Sequence, residues 1–371
     1  MTAGPQVFAA AVTWAAKFVT TKPTVPIHGA LLMHAEAGSL TITAYNENVT
    51  ARATVPFEGD GHGRTAVSGR LLGELAGTFP AKSPVRMAGA EQSLTITAGR
   101  WRGTLPVMRE EDFPPLPESP ARVGTVGGDA LATAISRAAV AAAKDTNLPV
   151  MYRAMHLTFG DDLVAMATDG YRATRIVAPF SGAGAEVLTA LVLTHPMAEV
   201  AAAFAGPDEI VVGLAEGVIG LSSSTRSVVL RQLAEKYDAE LIGKFFTIAA
   251  GLPEHVRILA PDLIVPLKRA VMVQEKEGPI SLILGDNEIT LTASSSQLPQ
   301  DSDEAVAAIY AGPECTLAFN PRYLSEALTS APGDRVQITM TTERLTGVLL
   351  TVPGNDSWQH ALMPIKKPAR S

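Results

Sequence analysis

The chain has 371 residues, too many for one hydrophobic core, and 47% of them are hydrophobic, so two or three domains are expected. A formal net charge of −7 argues against nucleic-acid binding by the whole surface, while leaving room for a basic patch on an acidic body. No apolar run reaches the ~20 residues of a membrane helix. Residues 1–5 lack the basic start of a signal peptide, and the lone Cys315 forbids an internal disulfide, as in a reducing cytoplasm.

The predicted elements follow one order three times. VFAAAVTWAAKFV (7–19) reads as a helix, and Leu40-Thr41-Ile42-Thr43-Ala44 alternates as a strand. A second helix at 68–79 and a strand pair at 93–108 lead to a connector at 111–124, whose prolines fix φ and remove ladder donors. The order returns with a helix at 129–144, the alternation Leu163-Val164-Ala165-Met166-Ala167, a helix at 194–204, strands at 209–233 and a connector at 238–254. It returns again with a helix at 262–275, Ile289-Thr290-Leu291-Thr292-Ala293, a helix at 320–331 and strands at 335–350. Ser68, Thr194 and Asn320 suit the N-cap of the second helix in each copy, where a side-chain oxygen takes an orphan N–H. Three copies of about 120 residues give domains at 1–120, 124–245 and 246–371. Alternating strands require antiparallel sheets with one buried face, each covered by a helix pair: an α+β fold.

The sequence supplies no recognisable reaction chemistry. It has no Gly-x-x-x-x-Gly-Lys-Ser/Thr loop, no Gly-x-Gly-x-x-Gly after a strand, no His-Glu-x-x-His and no Gly-x-Ser-x-Gly. The seven histidines are scattered without an i, i+4 pair, and one cysteine is too few for a zinc site of the usual spacing. Gly160-Asp161-Asp162 lies between strands and reads as a hairpin turn rather than a carboxylate pair. LPQDSDEAV (298–306) has acids but neither the glycine nor the ligand spacing of a calcium loop, so a solvated loop is expected. Cys315, on an apolar strand, reads as a small core residue. No catalytic residue, metal or cofactor is expected.

What remains is the threefold repeat and ATDGYRATR (167–175), where an apolar strand runs into Thr168-Asp169-Gly170-Tyr171-Arg172. It stands in order with KPTVPIHGALL (22–32), AVSGRLLGEL (66–75), EEDFPPLP (110–117), AFNPRYLSEAL (318–328) and ALMPIKK (361–367). Across its whole length the sequence resembles the bacterial DNA polymerase III β subunit, the sliding-clamp family. The resemblance implies three sliding-clamp (DNA clamp) domains per chain. Two chains would join head-to-tail into a six-domain ring, with antiparallel sheets outside and helices lining the hole. Such a ring encircles double-stranded DNA and tethers the replicative polymerase, without chemistry of its own. Its implied partners are DNA, the DNA polymerase III α subunit, the clamp loader and other proteins with a clamp-binding motif, in the cytoplasm and away from membranes.

A ring that slides needs diffuse, salt-dependent phosphate attraction rather than base contacts. On the resemblance, Lys17, Lys22, Arg70, Arg137, Lys144, Lys268, Arg269 and Arg322 would face DNA, with Glu74, Glu199 and Glu326 offsetting the second helices. Gly103 and Leu105, on an edge strand at 102–108, would meet Met272 and Val273 in the dimer interface. The TDGYR turn would wall a partner-peptide pocket. Its residues would be Tyr152, Thr168, Gly170, Tyr171, Arg172 and Ala173, with Phe246, Ala250, Gly251, Leu345, Gly347, Ala361 and Met363. Gly170 would permit a positive φ and close approach of a peptide.

This pocket departs from the family pattern. Ala173 stands where leucine is usual and Phe246 where proline is usual. Ala250-Gly251 replaces an arginine and an aliphatic residue, and HALMPI replaces an aromatic followed by larger aliphatics. Lost wall area weighs about 25 cal/mol per Å², so the expectation is a void where Ala173, Ala250, Gly251 and Ala361 present less wall, a clash at Phe246 on the rim and weaker peptide binding. Two readings of the clamp follow: an ordinary processivity factor, or a divergent second clamp whose pocket serves other partners or evades a pocket-directed inhibitor. A three-domain repeat enzyme is the distant alternative, opposed by the missing acid–base groups.

Overall fold

The computed structural model of the chain describes residues 1–182, 184, 186–273, 278–294, 301–341 and 347–365. Alternating polarity along strands such as Ser39–Tyr45 and Ser93–Ala98 sends every second side chain into a core. The chain divides into two compact units. Unit 1 comprises Met1–Asp129, Ser181–Ala185 and Glu199–Leu233; unit 2 comprises Ala130–Phe180, Glu186–Ala198 and Ala234–Ser371.

Unit 1 is built on one 13-stranded sheet. It passes from the first repeat to the second where Val49–Glu58 pairs with Arg226–Arg231, Ala51 opposite Val228. Unit 2 contains an 8-stranded sheet that passes from the second repeat to the third where Arg172–Pro179 pairs with Asn355–Leu362, Ala173 opposite Ala361. It also contains a 4-stranded sheet in the order Asp301–Ala307, Glu288–Ser294, Ile280–Gly285 and Cys315–Phe319. The second repeat therefore lends strands to both units. The division at 1–120, 124–245 and 246–371 cuts the same chain by repeat instead of by packing.

Eight α-helices lie in the described residues: α1 Pro5–Ala16, α2 Gly69–Ala76, α3 Gly128–Ala139, α4 Val150–Arg153, α5 Thr194–Ala203, α6 Ala239–Ala250, α7 Ala260–Val273 and α8 Pro321–Ser330. Two of the three expected caps form. Ser68 Oγ accepts from Leu71 N–H at 3.4 Å, and Asn320 Oδ1 accepts from Arg322 and Tyr323 N–H at 3.0 and 3.3 Å. Thr194 is the exception: it is already the first residue of α5, and its buried Oγ1 has no partner among the described residues. The hairpin at 160–162 forms as expected, closed by Gly160 N–H on Asp162 O at 3.1 Å.

Three local expectations need correction. The connector at 238–254 is largely α6, started by Asp238, whose Oδ1 accepts from Leu241 N–H at 2.9 Å. Its Ile242, Phe246 and Ala249 fall on one face at i, i+4 and i+7, which is what an amphipathic helix needs. The acidic segment expected as a solvated loop supplies the edge strand Asp301–Ala307, because pairing with Glu288–Ser294 satisfies its backbone; residues 298–300 lie outside the described residues. Cys315 sits half-buried on the opposite edge strand rather than in the core.

In unit 1, the Trp14 indole donates to Ala203 O at 3.1 Å and meets Phe204 edge-on. In unit 2, the fully buried Trp358 donates to Ser330 Oγ at 3.3 Å, tying the 8-stranded sheet to α8. No helix among the described residues is long and apolar enough to cross a membrane, and no cluster of His, Cys, Asp and Glu there could hold a metal ion.

Candidate functional site

The Thr168–Arg172 turn is fixed by its own side chains. Asp169 Oδ1 accepts from Tyr171 and Arg172 N–H, both at 3.0 Å, and Thr168 Oγ1 donates to Arg172 O at 2.7 Å. Gly170 takes φ +88°, as expected, but the group that approaches it is Tyr152 of this chain, whose ring carbon lies 3.3 Å from where a Cβ would stand. Met363 N–H donates to Tyr171 O at 2.9 Å and closes the turn against the C-terminal strand.

A groove of about 150 Å³ opens beside this turn, entirely within unit 2. Of the residues assigned to the pocket by sequence, Thr168, Gly170, Tyr171, Arg172, Ala173, Ala361 and Met363 border it. Leu241, Ile242, Phe245 and Leu362 border it as well and were not foreseen. The spacing of apolar residues between the cap-like Asp238 and Gly251 was the signal that could have found the first three.

The space beside Ala173 and Ala361 is filled in part from within the chain. Phe246, placed at the rim by sequence, is 2% exposed and packs with Ala173, Ala249, Leu349 and Ala361. Its burial in the space those alanines leave contributes about 1.5–3 kcal/mol. Phe245 lies over Gly347, where a Cβ would collide with its ring and stand 3.1 Å from Met363 Sδ. Ala250 and Gly251 are exposed at the end of α6 and do not line the groove, and Leu345 lies outside the described residues.

Arg172 also needs correction. Strand alternation turns its side chain to the opposite face from Ala173, and it is 3% exposed. Its Nε donates to Asp169 Oδ2 at 2.9 Å, its Nη1 to Glu326 Oε2 at 2.6 Å, and its guanidinium lies 4.1 Å from the Tyr323 ring centre. It borders the groove but is anchored to α8. Burial disfavours the Glu326 carboxylate, yet the hydrogen bond and charge of Arg172, with Lys144 and Arg322, hold its pKa below the ordinary value. His360, on the same sheet face, is fully buried with neither ring nitrogen paired among the described residues. Burial, aided by the Arg172 charge, pushes it down to about 3.

The predicted basic residues separate by company. Arg137 and Lys144 line a groove between α3 and α8, and Lys268 and Arg322 line another between α7 and α8. Arg70 pairs with Glu74 at 3.3 Å, Lys144 with Glu326 at 3.5 Å, and Arg269 with Glu304 through two nitrogens. Lys17 and Lys22 are exposed in unit 1 without an ion pair among the described residues. Of the interface residues, Met272 is 81% exposed and Val273 half-buried on α7, while Gly103 sits under the Trp101 ring. Leu105 points into the core of unit 1, so only its backbone is offered.

Two family models match: DNA polymerase III beta subunit, N-terminal domain, over residues 2–117, and C-terminal domain over 255–366. The chain is 29% identical over 374 residues to the beta sliding clamp of Streptomyces coelicolor, covering 97% of each chain. It is 30% identical over 293 residues to the beta sliding clamp of Micrococcus luteus, covering 77% of this chain and 91% of the other. The crystal structure of the DNA polymerase III beta subunit of Pseudomonas aeruginosa superposes with a TM-score of 0.91 at 20% identity, over 99% of this chain and all of that one.

Proposed function

Since this chain belongs to the DNA polymerase III beta-subunit family, the sliding clamps, we propose that two copies close head-to-tail into a ring that encloses duplex DNA and tethers the replicative polymerase. Sliding clamps are processivity factors and not enzymes, in keeping with a sequence that carries no acid–base or nucleophile motif. The three repeats at 1–120, 124–245 and 246–371 would give the ring six domains.

One observation carries the ring: a single chain with two unlike open edges. Strand Trp101–Met108 pairs with Ser93–Ala98 on one side, but with Gly63–Ser68 only at Val107 and Met108, so 101–106 has an open edge flanked by the exposed Arg100 and Arg102. Strand Asp301–Ala307 is one edge of the 4-stranded sheet, with Asp301 and Asp303 exposed. Unlike, oppositely charged edges favour a heterologous contact that closes as a ring, and closure removes both edges. Met272 and Val273, on the helix packed beside the acidic strand, would supply the apolar centre. Replacing both with alanine should convert a dimer to a monomer by light scattering; an unchanged dimer would refute this interface.

The basic residues lining the two unit 2 grooves, with Lys17 and Lys22, supply local attraction for phosphates on a chain of net charge −7. The groove beside Tyr171 would take a short linear segment of a replication partner such as the polymerase α subunit or the clamp loader. A second reading, a divergent clamp with altered partner choice, is favoured by Phe245 and Phe246 occupying space beside Gly347, Ala173 and Ala361.

A further inference from the structure

The groove is partly filled by the chain itself, and the filling is specific. Helix α6 carries two apolar stripes. Ile242, Phe246 and Ala249 turn inward, and Phe246 is fixed in the core. Leu241, Phe245 and Ile248 form the second stripe, in which Leu241 and Ile248 are exposed while Phe245 is half-buried. The Phe245 ring meets Phe246 edge-on at 6.3 Å and rests directly on the Gly347 backbone, a seat that exists only because residue 347 has no Cβ. Nothing can be inserted between ring and backbone. The open volume left beside it, about 150 Å³, is room for one ring-sized apolar group.

We propose that Phe245 is the specificity-determining residue of this groove: its ring occupies one of two adjoining apolar anchor positions, so the groove accepts a linear peptide through a single apolar side chain. This inference rests on the reading of the groove as a peptide site. The free anchor position is bounded by Tyr171, Leu241 and Met363, and the Met363 N–H to Tyr171 O bond fixes its wall before any ligand arrives. The anchor contributed from within costs the ligand no ordering entropy, but it also denies the ligand that contact area. A peptide built to insert two neighbouring apolar side chains would therefore gain from only one of them.

The test pans a displayed heptapeptide library on the full-length chain and on Phe245→Ala, then measures the selected peptides and their single alanine replacements by fluorescence anisotropy. On the natural chain one apolar position per peptide should cost more than tenfold on replacement. On Phe245→Ala, peptides with two such positions should be enriched and should bind at least tenfold more tightly than they bind the natural chain. Phe245→Leu, which keeps most of the packing, should fall between them and guards against misfolding of the alanine variant. Two costly positions on the natural chain, or one on both chains, would overturn the proposal. The methyl resonance of Met363 reports whether any peptide sits in the groove. If no selected peptide moves it on either chain, the peptide-site reading fails, and the proposal with it.

Discussion

The chain crosses from one repeat to the next twice, and the two crossings are covered differently. At the first, where Val49–Glu58 meets Arg226–Arg231, the connector stays extended and lies down on the sheet. Arg52 donates to Pro117 O at 2.7 Å, and Pro120 fits where Gly213 and Gly220 have no side chain to obstruct it. Phe113 and Leu116 pack on a cluster of Ile27, Ala30, Leu32 and Ala66. At the second, where Arg172–Pro179 meets Asn355–Leu362, the connector is α6, which seats Phe246 on Ala173 and Ala361 and leaves a groove at its flank. Proline fixes an extended chain that can follow a sheet closely. A helix touches the same sheet along one stripe and leaves space beside it. The choice of connector decides which crossing is sealed and which carries a groove.

The opposite faces of the two crossings differ as much, and this gives the largest expected effect. Arg172→Ala leaves the buried Asp169 without its cation and Glu326 with only the exposed Lys144 at 3.5 Å, which costs about 3–5 kcal/mol. Arg226, at the first crossing, is half-exposed and stacks on Trp14 at 5.3 Å, so Arg226→Ala should cost only about 0.5–1 kcal/mol. Hydrogen exchange of strands Asn355–Leu362 and Val49–Glu58 in the two variants measures both. Equal losses would mean that the Arg172 network is not what holds the second crossing.

Acid should sharpen the same contrast by a smaller amount. His360 belongs to the second crossing, and its pKa is lowered from 6.5 to about 3. Below about pH 6.5 the unfolded chain takes up a proton that the folded chain refuses, so stability falls as pH falls from there toward about 3, by up to about 1.4 kcal/mol per pH unit. The half-buried His156, whose pKa is also lowered by desolvation, adds to this slope. Glu326 loses its own contribution only further down, through and below its usual carboxylate range. Unfolding free energies from urea titrations at pH 7 and 5 should therefore fall less for His360→Leu than for the natural chain, by about 2 kcal/mol. Parallel slopes would show that His360 is not held neutral.

Much of this was legible in the sequence, and the misses have physical causes. Six helices and the antiparallel strands followed from periodicity, and the caps at Ser68 and Asn320 from residue type. Thr194 failed as a cap because the helix starts on it. The acidic 301–307 read as a loop because its charge hides a strand that only pairing with Glu288–Ser294 defines. In the groove, Gly170 and the turn were legible from Thr-Asp-Gly, since those side chains bond their own backbone. The face on which Arg172 emerges was not, because it depends on the strand register after the turn. Shrunken walls at Ala173 and Ala361 implied a void only while the helix that fills it went unrecognised.

The central claim is that the chain holds DNA by enclosing it. The direct measurement is to load the protein onto a nicked circular plasmid with its clamp loader and ATP, isolate the complex by gel filtration in moderate salt, and cut the plasmid once. Enclosure predicts that the protein stays on the circle and runs off after linearisation, with little binding to short linear duplex. Retention on the cut plasmid, or tight sequence-selective binding to a short duplex, would contradict the account.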